Sequence, residues 1–523
     1  MTFLDENNVA RVPATWRVFK EVSVWFEEAL FGHRIWARQT PWLLFLEFLN
    51  VADAQAREGR EMFTPAEPDV PQPYQLRYRM GLRNILYANG DLFDIAREGW
   101  DDEAKWTKWL ADMSGADTAP AETYGYLRKN FKYFRDFADL VALVRQTTLE
   151  GSGNVRWSSR FIFPFGINAL FTDAIIGRNG PGRDYGNFGR TGEILYYMVS
   201  RARRGGELRP YFENFFAPDQ PKNKLAALLC APSDDRCGQE MLGNSFLPYR
   251  QHPAFDRLVE DWLSVIALDL PAQDAFAYLA PLASLHVMLY HLETAASQAG
   301  AETRPSLVCE IIAPRRGLVR QRSIASFNTN DALVRQAVNG QAERLFASFE
   351  TELAKDEVAS EEERLDQVRG LLLDQSNFET DDPKARTLDG LRNAFEDAVE
   401  TKLDNSAGRV HSAYGRYVGL VSKRGTNRYR YAPNDDFMKM LVVTRVKTQT
   451  EFSRFLDDLY AHAGLVFGPE EARAALAPAD FDHASFAKNR DRLEARLASM
   501  GLLKRLSDGC AYVVNPLATK VAA

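Results

Sequence analysis

The chain has 523 residues, 46% of them apolar and 26% charged, with nine tryptophans and a formal net charge of −7. These values exclude an intrinsically disordered chain and a generally polycationic one, and the length favours about two to four domains. Four cysteines, Cys230, Cys237, Cys309 and Cys510, are too few for a disulfide framework, and the opening MTFLDENNVA lacks the features of a secretory signal. A reduced, cytoplasmic protein is expected.

Residues 14–60 place Val18, Val22, Phe26 and Leu30, then Leu43, Leu46 and Leu49, at helical spacing, punctuated by Gly32 and Pro41. The greasiest run, 42–49, is interrupted by Glu47 and is far shorter than the roughly twenty residues of a bilayer span, so no membrane segment is predicted. After the proline-rich 65–74, helical patterns cover 82–97, 104–113 and 124–148. Residues 1–175 therefore read as a helical, aromatic-rich first region.

Residues 177–192, GRNGPGRDYGNFGRTG, contain six glycines together with Arg178, Arg183 and Arg190. Backbone N–H groups at a helix entrance favour anions, so a phosphate cradle is one reading and a surface loop the other; the lysine of a Walker A motif is missing. Helices are expected at 193–204, 258–270 and 275–299, a strand at 306–312, and helices again from 331. Between them lie Arg315, Arg316, Arg320 and Arg322, suited either to an acidic ligand or to salt bridges with the acids near 361–366. This gives 176–354 as a helical middle region, and the acidic 355–386 reads as an exposed connector.

The last region, 387–523, begins with a helix over 387–403 and a hairpin pairing 417–422 with 428–431. A helix over 437–446 follows, with Asn434 or Asp435 as N-cap, then helices at 451–462, 469–476 and 484–500. The final hairpin, 502–515, turns on Asp508-Gly509, a pair that tolerates a type I′ turn, with Ser507 opposite Cys510 and Arg505 opposite Tyr512. The predicted fold is mainly α and multidomain, with small β-hairpins and a C-terminal winged-helix domain.

In the helix before that hairpin, Phe486, Leu493, Leu497 and Met500 form an apolar stripe, while Lys488, Asn489, Arg490, Arg492 and Arg496 offer donors to phosphates and base edges. Lys504 and Arg505 extend the set onto the wing. From 484 to 523 there are seven lysines or arginines against three acids, a local excess on an acidic chain. DNA contact by these residues, aided by Arg178, Arg183 and Arg190, is the expectation; a winged helix that docks a protein is the alternative.

No cofactor or metal is expected. His286 and His291, five apart beside Glu293, do not match HExxH, and Cys230 with Cys237 fails zinc-site spacing. Asp389 or Asp397 with Glu400 and Lys402 could in principle hold Mg²⁺ for a nuclease, but they fall within one helical pattern. No catalytic residue is predicted.

Three passages carry a resemblance: GHRIWARQTPWLLFLEFLNV, NFGRTGEILYYMVSRA, and the C-terminal set YAPNDDFMKMLVVTRV, FSRFLDDLYAHAGLVFGPEEA and NRDRLEARLASMGLLKRLSDGCAYVVNP. They resemble large subunits encoded in multi-gene bacterial anti-phage defence and restriction-like operons. The resemblance implies a non-catalytic subunit working beside ATPase, helicase, nuclease or methyltransferase partners. Together with the basic C-terminal helix it gives a DNA-sensing or adaptor subunit as the expectation; a structural scaffold and a metal-dependent nuclease are the alternatives. It transfers no active-site residue.

Overall fold

The computed structural model describes residues 9, 22–32, 35–64, 80–87, 89–114, 124–146, 165–170, 174–177, 180–183, 190–231, 247–311, 317–353, 360–401, 403, 406–423, 428–507 and 510–518. Within them the protein is mainly helical, with a few short strand pairs. The N-terminal part holds α1 (Val22–Phe31), α2 (Pro41–Arg57), α3 (Met80–Tyr87), α4 (Leu92–Arg97), α5 (Asp102–Ser114), α6 (Leu127–Asn130) and α7 (Phe134–Gln146). The hairpin of β1 (Ala174–Gly177) and β2 (Gly180–Arg183) precedes α8 (Thr191–Arg201), α9 (Arg209–Phe216) and α10 (Pro221–Ala227). Next come α11 (Pro253–Ile266), α12 (Ala272–Gln298), β3 (Leu307–Val308), α13 (Leu318–Leu353), α14 (Glu361–Ser376), α15 (Leu388–Glu400), α16 (Ala407–Tyr417), β4 (Val421–Ser422) and β5 (Arg430–Tyr431). The C-terminal unit comprises α17 (Asp435–Arg445), β6 (Gln449–Glu451), α18 (Phe452–Ala463), β7 (Leu465–Val466), α19 (Pro469–Ala475), α20 (His483–Ser499), β8 (Leu503–Ser507) and β9 (Cys510–Val514).

Helix α12 is the centre. It is apolar on every side, as a helix must be to pack against neighbours all round, and it touches α2, α11, α13 and α16. Among the described residues it is the one helix long and apolar enough to cross a bilayer, yet 83% of that apolar window is buried inside the protein. Sequence reading placed the greasiest run in α2 instead, where Phe45 and Phe48 pack edge-on against Trp262. One cluster of buried apolar residues runs from Val9 to Val513.

The patterns expected over 82–97 and 124–148 are each split into two helices, α3 with α4 and α6 with α7, and α13 and α14 also differ from expectation. Helix α13 starts at Leu318 instead of 331, so Arg320 and Arg322 are helical, and each finds an acid: Glu310 at 3.4 Å and Asp480 at 2.8 Å. Arg315 and Arg316 lie outside the described residues. Within the acidic segment, α14 forms because Ser360 caps the Glu363 N–H, three glutamates fill the first turn where the helix dipole favours them, and Asn377 closes the end in a left-handed conformation. Its Leu365, Val368 and Leu372 are buried, so this stretch packs instead of lying fully exposed.

In the C-terminal unit the Asn434 side chain caps α17 through the Phe437 N–H at 2.8 Å, as expected. Strand β6 pairs antiparallel with β9, which pairs with β8, giving the order β6-β9-β8. Ser507 stands opposite Cys510, but Arg505 faces Ala511, not Tyr512, because Leu506 is an extra residue that shifts the register. Asp508 and Gly509 lie outside the described residues. A parallel pair, β3 with β7, ties this unit to the segment that follows α12.

Candidate functional site

The residues expected to contact DNA divide sharply. Asn489 is the clear correction: it is fully buried, donating from Nδ2 to Cys309 O and Phe467 O at 2.9 Å each and accepting from Ile311 N at 2.8 Å. Its amide joins the ends of β3 and β7, leaving it no reach toward a ligand. Arg496 donates to Asp435 Oδ1 at 2.6 Å and to Pro433 O at 2.9 Å. Arg490 pairs with Asp491 at 2.9 Å, and Arg505 pairs with Glu494 at 2.6 Å.

Lys488 and Lys504 are exposed and Arg492 is half-exposed. Among the described residues Arg492 and Lys504 meet no carboxylate, while Lys488 acts at a distance on Asp482, the N-cap of α20. Lys488, Arg492 and Arg496 are spaced four apart and share one edge of α20. Asp491 and Glu494 line the other edge, beside a groove of about 770 Å³ that reaches Phe452, Leu503 and Ala511.

The glycine-rich segment is also reassigned. Arg178 lies outside the described residues, and of Arg183 only the strand position is described. At the entrance of α8 the anion is the protein's own: Glu47, fully buried, accepts from Arg190 N at 3.1 Å, Gly192 N at 2.8 Å and Gln39 Nε2 at 2.8 Å. A carboxylate at a helix N-terminus gains from the dipole and from the N–H groups that lack helical partners. Arg190 has its guanidinium 3.9 Å from Glu193, with 14% of the side chain exposed. The phosphate cradle is therefore occupied from within, and Arg190 faces inward instead of toward DNA.

A second constellation, absent from the sequence reading, lies where α11 and α12 meet α17 and α18. His286 donates from Nε2 to Asp261 Oδ2 at 2.7 Å, and His462 donates to the same oxygen at 3.0 Å. An ionised carboxylate only accepts, so each imidazole carries its proton on Nε2. Arg445 donates to Asp261 Oδ1 at 3.0 Å, to Glu260 at 3.0 Å, and to both oxygens of Asp458 at 2.8 and 2.9 Å. Burial pushes the Asp261 carboxyl up, but His462 and His286 outweigh it and hold the group well below the usual carboxylate range. Burial lowers the His286 imidazole against the pull of Asp261.

The three ligand atoms of Asp261, His286 and His462 lie within 4.8 Å of one another, close enough to share a metal ion. An imidazole that ligates through Nε2 ordinarily donates its other N–H to a carboxylate or carbonyl. His286 Nδ1 is buried and meets no partner, and Arg445 already neutralises the other carboxylate oxygen. The residues fit a hydrogen-bonded clip between four helices better than a cation site. Nearby, a groove of about 750 Å³ runs between Leu263 and Ala267 on one side and Val443 and Val446 on the other.

The nuclease candidates also have structural roles. Glu400 pairs with Arg335 and Asn339, Asp397 lends its backbone carbonyl to Thr401, and Lys402 lies outside the described residues. Asp389 and Asp397 both sit on α15, a helix and not the strand pair that such a site uses. No protein-family model, curated protein or solved structure matches the chain.

Proposed function

We propose that this protein is a non-catalytic, DNA-contacting subunit of a multi-gene bacterial defence assembly, with its C-terminal unit acting as a winged helix. The observation that supports the reading is a connectivity: α17, β6, α18, then β7 and α19 as an insertion, α20 and the β8–β9 hairpin, with β6 joined to β9 in one sheet. On this reading α20 is the recognition helix and the hairpin the wing. Lys488, Arg492 and Lys504 are the side chains placed to meet phosphates, and the defence context rests on the sequence resemblance alone. Arg490 and Arg505 are held by exposed pairs worth little in water, which a phosphate can exchange.

Titration of a labelled duplex with the purified protein between about 50 and 200 mM salt tests this reading. Combined Lys488→Glu, Arg492→Glu and Lys504→Glu is expected to flatten the log–log salt slope by about 0.9 per lost phosphate contact. Affinity and slope unchanged in that variant would refute the assignment. The groove beside α20, lined by Glu451, Asp491 and Glu494 together with Leu503, favours the second reading, in which this face docks a protein. Failure of the unmodified protein to bind DNA would leave that reading standing.

A further inference from the structure

Residues 405–434 contain six basic residues, Arg409, Arg416, Lys423, Arg424, Arg428 and Arg430, four tyrosines, and no acid, in a chain whose acids outnumber its bases 71 to 64. Its described residues form α16 and the antiparallel β4–β5 pair, where Val421 pairs with Tyr431 and Ser422 with Arg430; Arg424 lies outside the described residues. Arg430 points inward and is held by Glu310 at 3.1 Å. Arg409, Arg416, Lys423 and Arg428 are exposed, and among the described residues none of the four meets a carboxylate. This distinguishes them from Arg490, Arg496 and Arg505, each of which has an acid partner.

Local geometry explains the display. Helix α16 buries Val410, His411 and Tyr414, which leaves Arg409 and Arg416, seven residues apart, on its outer face. Tyr417, at the end of that helix, is 43% exposed despite its size. Across the hairpin, Lys423 Nζ sits 4.5 Å from the Tyr429 ring centroid. Tyr429 is in turn backed by Phe327 at 5.2 Å and an interplanar angle of 19°, and Phe327 by the buried His411 at 4.5 Å and 21°. The aromatic column backs Lys423 from the protein interior.

We propose that the outer face of α16 and the β4–β5 hairpin bind a single strand of nucleic acid. Uncompensated cations track a phosphate backbone, and an exposed tyrosine among them offers a stacking platform that unpaired bases accept and duplex bases do not. An acidic peptide would use the cations but has no need of Tyr417. The surface adjoins α20, since Arg496 bonds Pro433 O at 2.9 Å just after β5, so a strand leaving a duplex on the winged helix would meet it. The inference extends the reading of α20 without resting on it, because the two sites share no residue.

The test uses the full chain, labelled oligodeoxythymidine of about 20 nucleotides, and the duplex of the same length, across the salt range given above. Three variants are compared with the unmodified protein: Arg416→Glu with Lys423→Glu and Arg428→Glu; Tyr417→Ala; and the triple reversal of Lys488, Arg492 and Lys504. Far-ultraviolet circular dichroism on heating verifies that each is folded. The hairpin variant is expected to lose at least about tenfold in single-strand affinity and to flatten the salt slope by about 0.7 per contact, and Tyr417→Ala to lose about tenfold with the slope unchanged. Loss of strand binding with duplex binding intact confines the function to this face. Strand binding that survives the hairpin reversal, or an unmodified protein that binds only duplex, overturns the inference. Loss of strand binding in the α20 variant alone overturns this inference; its loss in the hairpin variant alone supports it, and the winged-helix reading then stands or falls on duplex binding by the α20 variant.

Discussion

Asn489 Oδ1 accepts the Ile311 N–H at 2.8 Å across 178 residues of sequence, and the same amide donates to Cys309 O and Phe467 O. One buried side chain thus holds α20 to the only parallel strand pair among the described residues. Replacing it with alanine removes three buried hydrogen bonds and is expected to cost about 2–4 kcal/mol. Urea unfolding of Asn489→Ala measures this. A residue that served only DNA would leave unfolding unchanged and alter the salt slope, so wild-type stability in the variant would contradict the structural role.

The Asp261 clip gives a second prediction. Asp261→Asn preserves the shape but leaves Arg445 and two imidazole N–H groups facing a neutral amide, and breaking one partner of a buried charged network typically costs about 3–5 kcal/mol. The clip joins α11 and α12 to α17 and α18, so limited proteolysis should release the C-terminal unit more readily in the variant. Because the set reads as hydrogen-bonded, added Zn²⁺ should leave the melting temperature of the unmodified protein where it is. A rise with Zn²⁺ that disappears in His286→Ala would instead make the cluster a metal centre.

Stability should also fall on mild acidification. Burial lowers His291 to about 3 and His252 to about 4, and lowers His286 as well. Each stays neutral in the folded chain but takes up a proton near pH 6.5 when unfolded. The unfolded state therefore binds more protons below about 6.5, and the contribution of each histidine, complete above that pH, is lost as pH falls toward its folded value. The slope is about 1.4 kcal/mol per pH unit for each histidine. Asp261, held low in the folded state, adds its own loss only below the ordinary carboxylate range. Both ring nitrogens of His291 are buried without partners beside Phe31, so His291→Phe should reduce the acid sensitivity. An identical pH profile in that variant would exclude His291 as a source.

What could be read from the sequence was local. The Asn434 cap, the helix before the last hairpin and a strand pair within 417–431 follow from signals a few residues apart, although the first strand is only Val421–Ser422 and Tyr417 ends α16 instead. The site residues were harder, because a polar side chain on a helix looks the same whether it faces water or a distant carbonyl. Nothing near Asn489 announces Ile311, and nothing near Arg190 announces Glu47, 143 positions away. Spacing rules miss the Asp261 cluster for the same reason, since its members come from separate helices. The acid-free run 405–434 escapes motif rules as well, because its cations are dispersed over a helix and two strands instead of concentrated in a motif.

Gly192 supplies the last prediction. A Cβ at this position would stand 2.6 Å from the Glu47 side chain and 2.7 Å from the Phe48 backbone nitrogen, both buried, so neither can move aside as a surface side chain would. The glycine lets α8 come close enough to α2 for the Glu47 carboxylate to accept its first N–H groups. Gly192→Ala is expected to push the two helices apart and lower stability by about 1–3 kcal/mol, the range for overpacking a close contact. Glu47→Gln keeps the volume but replaces one accepting oxygen with a donor aimed at backbone N–H groups, for a loss of about 1–3 kcal/mol. If Glu47 acts by capping α8, the two changes together should destabilise by less than their sum, because they damage one contact. Full additivity in a double-mutant cycle would show that the glycine is needed for packing alone.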